Sequence, residues 1–371
     1  MTIAASNLGR LFDGEGYETP PIFMRSHADA FAEYRRRSTA QPIFFGGDAV
    51  AVLHSLPDES IDCCMTSPPY WNKRQYENGG MGLEENFREF IENLLGVTAE
   101  VYRVLKKSGS LWLNIGDSYQ NKQLLGIPWR VAIGMCDQQR WILRNQVVWN
   151  KVKGSPDNAL DKLRNLHEPV FYFVKSQNYY FDADAVRSSP KRARVVNGAV
   201  ISATGVSGVR YRRQIELSSD LTGEEKRNAF VALDEILMQI ERSELADFRM
   251  VIRRQQRATH SDSEILSGRA KELRDRGFYF LKYHPRGSKP SDVWDIIPED
   301  THDRPGHYAP YPEDLCKIPI LATCPQDGIV LDPFCGTGTT NLVAYEFGRK
   351  SVGIDISTEY LRAAHARCAR P

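Results

Sequence analysis

The chain has 371 residues, 42% of them hydrophobic and 26% charged, with a formal net charge of +1. That length holds one large α/β domain or a core with a smaller companion, and near-neutrality means that any nucleic-acid footprint must be local. Acids near the start argue against a signal peptide, no apolar run is long enough for a membrane span, and the seven cysteines form no CxxC pair, so the expectation is a cytoplasmic protein with buried, reduced thiols.

Residues 1–40 are weakly patterned, with HADAFAEYRRR as an amphipathic helix. From Pro42 the pattern sharpens into a strand (Ile43–Phe45), a Gly-Gly-Asp turn, a helix (about Ala49–Leu56) and a strand (Ile61–Thr66). That apolar strand runs straight into Ser67-Pro68-Pro69-Tyr70-Trp71. Proline has no donor and a fixed φ, so a central strand cannot continue through two of them. A buried strand therefore ends in a rigid corner, with a hydroxyl before it and aromatic rings after it.

FREFIENLLGVTAEVYRVLKKSG has helical spacing and a Lys-Lys-Ser-Gly stop, and SLWLNIGD is a strand. IPWRVAIGMCDQQR is a short helix with proline near its start, while WILRNQVVWNK and HEPVFYFVKSQNYYFD are strands. Helices alternating with strands imply an α/β fold whose mostly parallel sheet is covered on both faces.

After Asp184 the texture changes. Residues 187–213 hold seven Lys and Arg and no acid. Residues 222–276 are expected as a polar helical stretch, with Ala229, Leu233, Ile236, Leu237 and Ile240 on one face. Roughly 187–285 is an insertion or second domain, without a solenoid repeat. The core pattern then returns in GIVLDPFCGTGTTNLVAYEFGRKSVGIDIS as strand (Ile329–Leu331), glycine turn, helix and strand (Ser351–Ile354).

This last segment carries the cofactor signal. Gly336 and Gly338 allow a tight turn and close approach of a ligand. Thr339 and Thr340 begin a helix whose free N–H groups favour electron-rich partners. Asp355 ends the second strand, where an acid takes two ribose hydroxyls. A dinucleotide fingerprint fails because Asn341 stands at the third glycine, and a P-loop fails for want of lysine. A tight turn without ligand is the plain alternative. The Asp-Pro-Phe before the turn and the acid after the next strand favour a nucleoside-bearing ligand. Asp332 would accept from a ligand ammonium group, which suits S-adenosylmethionine, and Phe334 would pack on the adenosine.

Together, DPFCGTGTT and TSPPYW resemble the amino-methylating DNA methyltransferases. The Ser-Pro-Pro-Tyr corner precedes the glycine loop by about 260 residues, as in the permuted (β-type) members. GDA at Gly47–Ala49, VVWNKVKGSPDNALDKLRNLHEPVFYFVKSQNYYFD, PSDVWDI and HYAPYPEDL are similar to further segments of that family. The resemblance covers roughly 42–186 and 284–368. It implies a Rossmann-like S-adenosylmethionine-dependent core with an N-terminal segment (1–40), a catalytic half (41–186), a target-recognition insertion (187–285) and a cofactor-binding half (286–371).

An exocyclic amine is a poor nucleophile because its lone pair is delocalised into the ring. The resemblance implies that the Ser67 hydroxyl and the Pro68 carbonyl accept the amine hydrogens, with Pro68 and Pro69 preorganising that carbonyl. It implies that Tyr70 stacks on a flipped base, with Trp71 lining the same pocket. Cysteine chemistry at cytosine carbon 5 is rejected, because Cys324-Pro325 has the wrong order and no cysteine stands next to the corner on its C-terminal side.

The cofactor residues are then Asp48, Asp332, Phe334, Cys335, Gly336, Thr337, Gly338, Thr339, Thr340 and Asp355. Asp48 is equally a helix N-cap, and Cys335 is tolerated in the loop and not catalytic. DNA contacts fall on Trp71, Trp149, Lys151, Lys191, Arg192, Arg194, Arg210, Arg212 and Arg213; a core position is the plain alternative for Trp149, and a solvated loop is the plain reading of the basic run, which phosphate contacts explain better in a neutral chain. His167 and Glu168 recur in the family pattern, with a structural role as the plain reading.

The implied function is N4-cytosine methylation of double-stranded DNA, releasing S-adenosylhomocysteine and needing no metal. The setting is a bacterial or archaeal cytoplasm, the protein a monomer or homodimer, with a cognate restriction endonuclease. N6-adenine methylation is the runner-up. RNA methylation, or DNA binding by an inactive core, is the competing class.

Overall fold

The computed structural model describes residues 26–73, 80–154, 159–196, 199–203, 205–253, 268–298 and 311–369. Residues 1–25, the first half of HYAPYPEDL and the segment 254–267 lie outside them.

Helix and strand alternate as α1 (His27–Arg36), β1 (Ile43–Gly46), α2 (Ala49–Ser55), β2 (Ile61–Thr66), α3 (Phe87–Val104) and β3 (Leu105–Asn114). A small hairpin, β4 (Tyr119–Gln120) and β5 (Gln123–Leu124), leads to α4 (Ile127–Gln139), β6 (Ile142–Asn150) and β7 (His167–Val174). Then come β8 (Arg194–Val196), β9 (Ala199–Ile201), α5 (Gly208–Leu217), α6 (Gly223–Glu241), β10 (Asp247–Ile252), α7 (Gly268–Arg276) and β11 (Phe278–Tyr283). The chain closes with β12 (Val293–Asp295), α8 (Glu313–Thr323), β13 (Ile329–Asp332), α9 (Thr339–Glu346), β14 (Lys350–Asp355) and α10 (Thr358–Cys368).

Eight strands form one sheet in the order β1-β14-β13-β2-β3-β7-β6-β12. Its neighbours are parallel except those of β7, which runs against both β3 and β6. Side chains alternate across β2: Cys64 joins the core under α2, α3 and α4, while Cys63 and Met65 join the core under α8 and α9. Two-sided burial covers every residue of β2 and β13, Asp62 included. It also pushes the Cys63 thiol up to about 12 and the Cys64 thiol well above its usual range, so neither is a nucleophile at neutral pH.

The chain divides into two compact units, Met1–Ala185 with Ser291–Pro371, and Val186–Pro290. The second has its own core of Tyr211, Ile215, Leu233, Ile236, Phe248 and Phe278. Residues 222–276 were expected as one helical stretch, and that expectation is corrected. The apolar face of Ala229, Leu233, Ile236 and Ile240 is buried as predicted, but α6 stops at Glu241 and Ser243 turns at φ 61°. Residues 247–252 then form β10, paired antiparallel with β11. The cause is a β-rich DFRMVI segment with a partner strand available, which outweighs the polar helical composition around it. The Lys-Lys-Ser-Gly stop is corrected too. α3 ends at Val104, and those four residues open β3.

Among the described residues no helix is long and apolar enough to cross a membrane.

Candidate active site at the carboxyl edge of the sheet

Residues far apart in sequence meet because β13 lies beside β2, with Val330 opposite Cys63 and Leu331 opposite Cys64. Both strands run the same way, so the glycine loop and the Ser67 corner leave the same edge of the sheet. Ligands of open α/β sheets bind outside that edge. Thr66 Oγ1 donates to Asp332 Oδ1 at 2.7 Å, stitching the corners together.

Asp332 is 1% exposed. Besides Thr66 it accepts from Phe334 N at 3.1 Å, Thr340 Oγ1 at 2.7 Å and Tyr311 Oη at 2.9 Å. Burial raises its carboxyl above the usual range, and these hydrogen bonds oppose the rise. Both oxygens are thus occupied by donors from the chain. An ammonium group would have to replace one of them. Tyr311 also contacts the Thr340 hydroxyl, and burial keeps its phenol protonated by raising it far above its usual value. Nothing in the sequence singled Tyr311 out.

The loop geometry follows from its glycines. Gly336 has φ 51° and Gly338 φ 75°, and a Cβ on Gly338 would lie 2.9 Å from the Ala364 Cβ. Cys335 turns its side chain into a small core with Phe44, Leu361 and Cys368. Thr339 is also committed, as its hydroxyl accepts from Arg367 Nη1 at 2.9 Å. Phe334 is half-buried, and the buried Thr337 Oγ1 has no hydrogen-bond partner.

Asp355 is held by Gly336 N on one oxygen (2.9 Å) and Ser357 N on the other (2.8 Å), which leaves lone pairs on both for hydroxyl donors. Burial pushes its carboxyl up to about 6. On the neighbouring parallel strand, Gly46 pairs with Asp355 and Asp48 caps α2, accepting from Ala51 N at 3.0 Å while remaining exposed. Its cap role leaves the other carboxylate oxygen available. A paired-hydroxyl acceptor, an exposed acid beside it and an orphaned hydroxyl in a glycine turn fit the ribose, adenine and amino-acid parts of S-adenosylmethionine.

In the other corner Pro68 is buried, while Ser67, Pro69 and Tyr70 are half-buried. Ser67 Oγ donates to Asn114 Oδ1 at 3.2 Å and lies 3.4 Å from the Tyr70 hydroxyl. Tyr70 donates to Glu168 Oε2 at 2.7 Å and is 3.1 Å from Asn114 Oδ1. The backbone of Gly116 lies against the ring, and a Cβ there would approach Tyr70 Cε2 to 2.4 Å. Asn114 and Gly116 were missed in the sequence. Their signal was positional, since Asn114 ends the strand parallel to β2 and Gly116 follows it by two residues.

Two DNA-facing expectations are corrected. Trp71 is 3% exposed, donates to Glu84 O at 3.0 Å and meets Phe87 edge-on. Trp149 is 4% exposed and donates to Ile296 O at 2.8 Å. Their size and apolar surface place both in the core. Lys151 pairs with Glu168 Oε1 at 2.5 Å. Lys191, Arg192, Arg194, Arg210, Arg212 and Arg213 are all exposed within the second unit. The last three lie on α5, whose buried face is Gly208, Tyr211 and Ile215, and Arg212 pairs with Asp234.

Known proteins resemble this chain in sequence and fold. A family described as DNA methylase, of N6 and N4 methyltransferases, matches residues 61–366. The type II methyltransferase M.SfiI of Streptomyces fimbriatus is 32% identical, covering 90% of this chain and 93% of its own. M.SmaI of Serratia marcescens, another type II methyltransferase, is 27% identical over 87% and 89%. Among solved structures, the PvuII DNA methyltransferase (cytosine-N4-specific) shares the fold with a TM-score of 0.53 at 18% identity, covering 89% of this chain and 87% of that one.

Proposed function

Since this chain belongs to the DNA methylase family of N6 and N4 methyltransferases, and is thereby an S-adenosylmethionine-dependent DNA methyltransferase with a Rossmann-like core, we propose that its target is the N4 amine of a cytosine flipped out of duplex DNA. The observation that carries this reading is the Ser67 corner and the glycine loop leaving one sheet edge on adjacent parallel strands.

S-adenosylmethionine supplies an electrophilic methyl group when bound. Asp355 would hold its ribose hydroxyls, Asp48 its adenine amine and Thr337 a polar group beside the turn. Asp332 organises the junction, where an ammonium group would have to replace one of its present donors. At the other corner, Ser67 points its proton at Asn114, so its lone pairs are left to accept an amine hydrogen. The Pro68 carbonyl takes the second hydrogen. With both held, the nitrogen lone pair leaves conjugation and becomes a nucleophile. Acceptors fixed before the reaction need no reorganisation as charge develops. Tyr70 has Gly116 on one side and stacks the base on the other. Serine at the first corner position usually, though not strictly, marks cytosine in the enzymes that this chain resembles.

The exposed basic side chains of the second unit contact DNA phosphates, which position a site without specifying it. Relatives named type II methyltransferases support a role beside a restriction endonuclease.

The test is incubation of the protein with labelled S-adenosylmethionine and unmodified DNA, digestion to nucleosides and identification by mass. N4-methylcytosine is the expected product. N6-methyladenine would keep the chemistry and replace the base. No labelled nucleoside from DNA, with cofactor bound, would leave an RNA substrate or a binding role.

A further inference from the structure

We infer that Glu168 is the positioning residue of the methyl-transfer corner, holding Tyr70 directly and Ser67 through Asn114. The inference rests on the amino-methyltransferase reading of this site and deepens it.

A serine hydroxyl turns freely about its C–O bond. Ser67 accepts an amine hydrogen only if its own proton is committed elsewhere. Asn114 Oδ1 provides that commitment at 3.2 Å. The Asn114 amide in turn has two possible faces, and only one offers oxygen to Ser67. Its Nδ2 donates to Glu168 Oε2 and to Pro169 O, both at 3.3 Å. If the amide flipped, its oxygen would face a carboxylate and a carbonyl, and its NH2 would spend the lone pairs of Ser67. Glu168 therefore sets the direction of the Ser67 proton from a distance.

The same Oε2 accepts from the Tyr70 hydroxyl at 2.7 Å. The ring is thus fixed at its tip by Glu168 and on its side by Gly116. Glu168 is itself anchored, because its other oxygen takes Lys151 Nζ at 2.5 Å, and Lys151 stands 4.9 Å from the centre of the buried Trp149 ring. The position needs an acceptor on both ends. A glutamine has only one, so its NH2 must confront either the Lys151 ammonium or the Tyr70 and Asn114 donors.

The test measures single-turnover methylation of unmodified DNA by wild type, Glu168→Gln, Tyr70→Phe and the double variant. Cofactor affinity and melting temperature are followed in parallel. Glu168→Gln is expected to slow the methyl-transfer rate by about 10–100-fold, with cofactor affinity unchanged, because misplacement by an ångström has that effect. Tyr70→Phe keeps the ring and is expected to lose rate as well. Glu168→Gln should cost markedly less in the Tyr70→Phe background, since groups that act through one contact are non-additive. Wild-type rates in Glu168→Gln, or full additivity, would overturn the inference. So would a loss of cofactor affinity and melting temperature alongside rate, which marks a merely structural role. If Glu168→Gln does not fold, Tyr70→Phe decides alone, and an undiminished rate in it overturns the inference. Absence of label with wild type strikes the functional reading itself, and the inference falls with it.

Discussion

As the proposed ribose acceptor, Asp355 would link cofactor binding to pH. Its carboxyl sits at about 6 because burial disfavours the charge. Two ribose hydroxyl donors would favour the charged, acceptor-only form, so binding would expel the proton. Cofactor affinity is expected to be flat above about pH 6 and to weaken by up to about tenfold per unit below it. The free protein should respond with opposite sign. A raised folded value means that this group's stabilising contribution is complete below its unfolded value of about 3.9 and is lost as pH rises through about 6. Calorimetric titration of cofactor against pH, with Asp355→Asn as reference, checks both signs. An affinity in wild type that does not fall below pH 6 would remove Asp355 from the cofactor.

Gly116 makes a second prediction at this scale. A methyl group there would sit 2.4 Å from the Tyr70 ring, so Gly116→Ala should displace the ring and lower methylation about 100-fold. Cofactor binding should hold, because the glycine loop leaves different strands. Normal single-turnover rates in Gly116→Ala would show that the ring position does not matter.

At the scale of elements, the turn between β13 and α9 depends on backbone forms that side chains resist. Gly338 caps α9 in the left-handed region and packs against Ala364. Gly338→Ala should cost about 1–2 kcal/mol for the backbone alone, and more for the contact. The loss should appear in thermal melting and in cofactor affinity together. Deeper in the same strand, Leu331 is fully buried between β2 and β14, and Leu331→Ala is expected to cost about 2–5 kcal/mol. Denaturant titration measures it, and a cost below about 1 kcal/mol would contradict the two-sided packing.

Most of these elements were legible in the sequence. The glycine turn, the acid after it and the proline corner are local signals, set by φ restrictions and missing donors. The failures were local too. Residues 247–252 were hidden in a polar helical stretch because a strand gains its stability from a partner, here Phe278–Tyr283. Trp71 and Trp149 were read as DNA contacts, yet each indole N–H found a backbone carbonyl inside.

For the whole molecule, charge is local. The exposed arginines of α5 belong to a unit with its own core. Arg210→Ala and Arg213→Ala should each weaken DNA binding and lower the salt slope by about 1, while cofactor affinity in free protein stays unchanged. An unaltered salt slope would move the phosphate contacts elsewhere.

By itself the sequence determined the chemistry available: a rigid serine–proline corner, a glycine turn followed by an acid, and a basic run in an otherwise neutral chain. These are properties of residue type and short spacing, and they survive without coordinates. Only the tertiary structure decided which groups act together. Pairing β13 with β2 brings residues from the two ends of the chain to one edge, and β3 and β7 deliver Asn114 and Glu168 behind Ser67 and Tyr70. Long-range strand pairing leaves no local signature, because each strand reads only as apolar until a neighbour fills its hydrogen bonds. The direction of a single hydroxyl proton at Ser67 is fixed by that pairing.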